Sequence, residues 1–84
     1  MAQVKGRPVE VFPGITMDPD VRFGKPCIAG TRVDVATVVG AVAAGESFKT
    51  IEAEYSLTQE QVQAALRYAS HLADHTAPAV KKDS

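Results

Sequence analysis

The chain has 84 residues, 45% of them apolar, and a net charge of −1, so it holds at most one domain. One cysteine excludes an internal disulfide and a cysteine-built zinc cage, and six Gly with five Pro are too few for a collagen-like or disordered chain. The longest nearly apolar run, residues 35–45, is too short to span a membrane.

Residues 1–8 carry Lys5 and Arg7 with no apolar run behind them, which predicts a flexible N-terminus and no signal peptide. Residues 9–33 read as a β element. Val9 and Val11 alternate around Glu10, and Ile15 and Met17 alternate around Thr16. Pro13-Gly14 and Asp18-Pro19-Asp20 are turn signals between such runs. Val21-Arg22-Phe23 is closed by Gly24, and Cys27-Ile28 leads into a turn at Ala29-Gly30. Gly24 and Gly30 suit left-handed backbone. A β element this short is not stable alone and must pack on helices or on a second chain.

Residues 34–75 read as a three-helix core. Asp34 is the N-cap of the first helix, and Val35, Val38, Val39 and Val42 form one apolar stripe. Gly40 within it costs roughly 1 kcal/mol relative to Ala unless another backbone approaches there. Gly45 stops that helix. Ser47 caps a second helix lined by Phe48, Ile51 and Tyr55. After Ser56-Leu57, Thr58-Gln59-Glu60-Gln61 matches a capping box for a third. Val62, Ala65, Leu66, Ala69, Leu72 and Ala73 give it an amphipathic face. Residues 76–84 read as a flexible tail. The connection of about three residues between the second and third helices has the helix-turn-helix length.

Thirteen Ala and eleven Val make up most of the 38 apolar residues. Small side chains bury little surface each, and a chain of this length buries only about 60–65% of what its unfolded form exposes. Self-association is the expected remedy: a homodimer, with the strands over residues 9–17 or the first helix's valines at the interface. Charge is divided unevenly: +2 over residues 1–33, −4 over 34–76 and +1 over 77–84. The helical half therefore repels phosphate on average, while the β half attracts it weakly.

The block Gly24-Lys25-Pro26-Cys27-Ile28-Ala29-Gly30-Thr31-Arg32-Val33-Asp34-Val35, preceded by Ile15, Asp18 and Pro19, resembles the signature of the bacterial domain-of-unknown-function family 433 (DUF433). Gly45, Ser47, Ile51, Tyr55, Leu57, Thr58, Val62, Ala65, Leu66 and Tyr68 continue the likeness, which covers roughly residues 15–73. Two positions depart from the pattern: Ala43 or Ala44 stands where a bulkier aliphatic is usual, and Ser56 where Pro is common. The resemblance implies a mainly α, homeodomain-like fold behind a short β element. Family members are labelled antitoxins of type II toxin–antitoxin pairs beside a PIN-like ribonuclease toxin, which implies a cognate toxin as partner and operator DNA as a further one.

The candidate residues divide by chemistry. A helix-turn-helix reader places Gln59, Gln63 and Arg67 of the third helix at base edges, with Arg22, Lys25 and Arg32 added by the β half of a dimer. Ala64 is expected on that exposed face too, and no Lys accompanies it. An acidic surface of Glu46, Glu52, Glu54 and Glu60 suits a basic protein partner. Arg32 is expected to pair with Asp18, Asp20 or Glu54, within an architectural turn at Gly30-Thr31-Arg32. His71 and His75, with Asp74 beside them, have the i, i+4 spacing of a chelating His pair but no third ligand or closed pocket, so an exposed helix end is expected, and Cys27 reads as a buried small hydrophobe. No carboxylate pair, nucleophile triad or metal centre is visible. The expectation is a cytoplasmic binding protein, not an enzyme, with no cofactor, metal, small-molecule substrate or membrane contact. The alternatives are an interaction module without a DNA role and a stand-alone transcription regulator.

Overall fold

A computed structural model describes residues 8–76, so the predicted flexible segments 1–8 and 76–84 lie outside the described residues except at Pro8 and at Thr76, which still belongs to the last helix. Three strands, β1 (Val9–Phe12), β2 (Ile15–Met17) and β3 (Cys27–Ile28), precede three helices, α1 (Val35–Ala43), α2 (Phe48–Tyr55) and α3 (Gln59–Thr76). The sheet is antiparallel in the order β1-β2-β3. Its hairpin turns at Pro13-Gly14, where Gly14 takes φ +85° and its N–H donates to the Glu10 carboxylate at 3.1 Å. Pairing passes from Glu10–Thr16 to Phe12–Ile15, so Val11 is an extra residue, a β-bulge.

Each helix starts where its cap residue dictates. Asp34 and Ser47 accept hydrogen bonds from the Thr37 and Thr50 amides, at 3.0 and 3.1 Å. Thr58 and Gln61 complete a reciprocal capping box: the Gln61 N–H donates to Thr58 Oγ1, and the Thr58 N–H to Gln61 Oε1. α2 ends at Ser56 in the left-handed conformation (φ 56°), its N–H bonded to the Glu52 carbonyl. That geometry turns the chain within two residues and drops Leu57, 6% exposed, into the core.

The core lies where α1 and α2 meet α3 beneath the sheet. Ile15 and Ile28 come from the strands, Val38 from α1, Ile51 from α2, and Val62 and Ala65 from α3. None of these six is more than 1% exposed. Phe12 packs from the hairpin onto α3, with ring centroids 5.4 Å from Tyr68 and 5.0 Å from His71. Tyr68 joins the core at 6% exposure, while Leu66, expected in the buried stripe, is half-buried. The helix period places Tyr68 nearer the sheet, which takes the larger ring.

Candidate functional site

The junction between sheet and α1 is organised around Asp34, 4% exposed. Its Oδ1 caps α1 and its Oδ2 lies 3.3 Å from Nη2 of Arg22. Hydrogen bonding from Thr37 foremost, and then from Arg22, holds its carboxyl below the ordinary value despite burial. The carboxylate-paired guanidinium is thus that of Arg22. Arg32 is exposed and makes no salt bridge among the described residues, which corrects the expected pairing with Asp18, Asp20 or Glu54. The Gly30-Thr31-Arg32 turn closes without it. Thr31 Oγ1 donates to the Ile28 carbonyl at 2.8 Å and accepts from the Val33 N–H at 3.0 Å. Behind the turn, Cys27 is buried and its Sγ donates to the Lys25 carbonyl at 3.4 Å; burial first, then the Asp34 charge, pushes its thiol upward.

The run closed by Gly24 turns left-handed at Gly24, as expected, and at the two residues before it as well. Arg22, Phe23 and Gly24 have φ of 51°, 58° and 82°. Two consecutive non-glycine residues there cost roughly 1–2 kcal/mol each, and the surroundings hold them in place. The Asp20 N–H donates to Asp18 Oδ1, Val21 N–H to the Asp18 carbonyl, Gly24 N–H to the Val21 carbonyl, and Arg22 is tied to Asp34. The turn presents Phe23 outward at 95% exposure, beside a recess lined by Pro19, Asp20, Arg22 and Arg32.

The predicted cations are therefore not gathered into one site. Arg22 and Arg32 share the Phe23 recess. Lys25 stands at the rim of an apolar groove of about 310 Å³ between α1 and α3. Arg67 flanks a third recess, against the hairpin turn at Pro13-Gly14, with Glu60 and Gln61. Gln59 is exposed and Gln63 half-buried at the start of α3. Ala64, expected to be exposed, is 6% exposed, because the hairpin turn sits on it: a Cβ at Gly14 would come within 3.2 Å of the Ala64 Cβ. The hairpin thus covers part of the face that a groove-reading helix offers. Of the acidic candidates, Glu46, Glu54 and Glu60 are exposed and Glu52 is half-buried. Residues 8–76 carry five bases against nine acids, a net −4.

His71 and His75 stack at 4.2 Å, and His75 Nδ1 lies 2.9 Å from the His71 carbonyl oxygen. One imidazole nitrogen of the pair is thus turned to the helix backbone. Among the described residues no group of three His, Cys, Asp or Glu side chains is placed to hold a metal, and no helix is long and apolar enough to cross a membrane.

A family described only as a protein of unknown function, DUF433, matches residues 15–69, which take in β2, β3, the Asp34 junction and most of the helical core. The chain belongs to the DUF433 family. Its relatives include two uncharacterized proteins. One is Rv2308 of Mycobacterium tuberculosis, 36% identical over 59 residues, covering 70% of this chain and 25% of the relative. The other is y4eO of Sinorhizobium fredii, 43% identical over 56 residues, covering 66% and 25%. A third relative, from M. tuberculosis, bears the name putative antitoxin VapB45; it is 35% identical over 52 residues, covering 62% and 22%. The crystal structure of Rv2018 from M. tuberculosis superposes with a TM-score of 0.57 at 35% identity, over 62% of this chain and 24% of that one. This DUF433 chain therefore spans about a quarter of the length of the relatives it matches.

Within the DUF433 match, the features that sequence reasoning missed are the Arg22–Asp34 ion pair and the outward Phe23. A signal for the first was present: Asp34 was already the N-cap, and a buried cap carboxylate needs a compensating donor. For the second, Gly24 marked the turn but not its reach back to two side-chain-bearing residues.

Proposed function

We propose that this protein is the antitoxin of a type II toxin–antitoxin pair, a cytoplasmic binding protein without a reaction centre that neutralises a PIN-like ribonuclease. The observation that carries this reading is the 35% identity to a relative named as an antitoxin, across the same segment that defines the family. The acidic helical half supports it. Glu46, Glu52, Glu54 and Glu60 offer charge complementary to a basic RNA-binding surface, which speeds encounter and sharpens selectivity. In this reading the protein acts as a homodimer. Its α2–turn–α3 segment serves as a homeodomain-like helix-turn-helix on operator DNA, through Gln59, Gln63 and Arg67 with Arg22, Lys25 and Arg32.

The test is co-expression with each flanking gene, followed by pull-down and growth rescue. The expected result is that one neighbour is toxic alone, co-purifies with this chain and is silenced by it. No co-purifying neighbour and no rescue would overturn the reading. Exchanging Glu52 and Glu54 for Lys should weaken toxin capture and leave folding intact. A second reading, an interaction module without a DNA role, is favoured by the net −4 of residues 8–76 and by the lack of Lys on α3. Mobility-shift titration on the upstream DNA at two salt concentrations separates the two. A salt-sensitive shift supports the operator role, and no shift at micromolar protein supports the module.

A further inference from the structure

We propose that two copies of this chain associate by exchanging Phe23, each ring entering the apolar groove between α1 and α3 of the other copy. This names the surface of the homodimer proposed above, and it does not depend on toxin binding.

Three observations carry it. Phe23 is a knob that the described residues leave uncovered: 95% exposed, on a left-handed turn whose backbone bonds and Arg22–Asp34 tie hold it away from the body. The receiving groove is adjacent to it. Asp34, which grips Arg22, also lines the groove, together with Pro26, Val35, Ala36, Val39, Tyr68 and Ala69, nearly all apolar. A knob beside its own hole is the arrangement a two-fold axis needs, because each copy then gives and receives at one continuous patch. The third observation is charge. Over residues 18–43 three acids (Asp18, Asp20, Asp34) balance three bases (Arg22, Lys25, Arg32), and α1 carries no charge at all. Residues 44–76 have five acids against two bases. Two copies can therefore meet across the knob-and-groove face without net repulsion, whereas the α2–α3 faces repel one another.

Gly40 agrees with this placement. It lies in the interior of α1, and a Cβ added there would meet nothing within 4 Å. Its lack of a side chain serves no contact among the described residues, and it lies one helical turn after Ala36 of the groove, where it leaves room for a second backbone.

The area sets the expected strength. Phe rings bury about 150–250 Å² each. Two rings and the groove surfaces they cover therefore come to roughly 600–1,000 Å² in total, at the lower limit of specific interfaces. An interface of that size is weak and reversible, not obligate.

Sedimentation of the full chain over a concentration series tests this. The wild type should pass from monomer to dimer. Phe23→Ala should weaken the dimer by about tenfold or more. Ala36→Glu, which puts a carboxylate at an exposed site on the groove, should abolish it, with helix content unchanged by circular dichroism in both. Phe23→Trp supplies the chain's only indole, whose emission should shift to the blue as the dimer forms. A wild type that stays monomeric overturns both the dimer and its surface. A dimer that Phe23→Ala leaves untouched overturns the surface alone. A blue-shifted indole in a sedimenting monomer overturns it as well, since the ring would then be covered within one chain.

Discussion

At Asp34 a single carboxylate does two tasks, ending one stretch of backbone and beginning another. It caps α1 and restrains Arg22, so it fixes the entry to the helices and the turn before them. Loss of a cap costs about 0.5–2 kcal/mol, and Asp34→Ala also strands the Arg22 restraint. We expect a loss of about 1–2 kcal/mol, read as a lower midpoint in urea. The pH dependence follows from the direction of the shift. A carboxyl held below its ordinary 3.8 contributes stability that is complete above that value and is lost as pH falls through the lower folded value. The difference between wild type and Asp34→Asn should therefore be constant near neutrality and shrink only in strongly acidic buffer. Cys27 gives a second check. Its thiol is 3% exposed and shifted upward, so a disulfide reagent should label it slowly in the native protein and at once in denaturant.

Among the elements, the hairpin is the one whose packing decides how α3 can be used. It is fastened by Phe12 against Tyr68 and by the close seat of Gly14 on Ala64. Gly14→Ala combines an unfavourable φ of +85° with a 3.2 Å contact. It should destabilise the fold by about 1–2 kcal/mol, measured by thermal unfolding. Ile51→Ala, at a site with no exposure, should cost about 2–5 kcal/mol, a large part of the stability of a domain this small. The helices were legible in the sequence because their signals are local. Asp34, Ser47 and Thr58 announce the three starts by side-chain chemistry alone, and the capping box at Thr58–Gln61 forms as its pattern requires. The strands were legible in kind, since Val9, Ile15 and Ile28 all fall within them. The burial of Ala64 was not. It depends on which face of α3 the hairpin crosses, and periodicity within α3 carries no record of a contact made by residues 50 positions earlier.

For the whole molecule, the informative contrast is between two halves of unlike charge and unlike surface. Residues 18–43 combine balanced charge with an outward aromatic ring and an apolar groove, while residues 44–76 carry five acids against two bases. A toxin held on the acidic side would leave the balanced side open to a second copy. Toxin capture and self-association should then respond to different substitutions: Glu52 and Glu54 for the first, Phe23 and Ala36 for the second. The candidate cations were each named from the sequence, but their dispersal over three recesses was not visible there, because chain position says nothing of which groove a side chain borders. Nor was the outward ring of Phe23, since its exposure is set by the backbone sign at residues 22 and 23, which Gly24 does not announce.

The irregularity at Val11 has a consequence for solubility. β1 is the outer strand of the sheet, and Val9 and Val11 are 58% and 40% exposed. A straight margin bearing such side chains would template strand after strand into a fibril. The supernumerary residue kinks that margin, so hydrogen-bonding groups on either side of it fall out of step with any incoming chain. Removing Val11 should regularise the margin and turn a well-behaved solution into one that gels or binds amyloid dyes on standing.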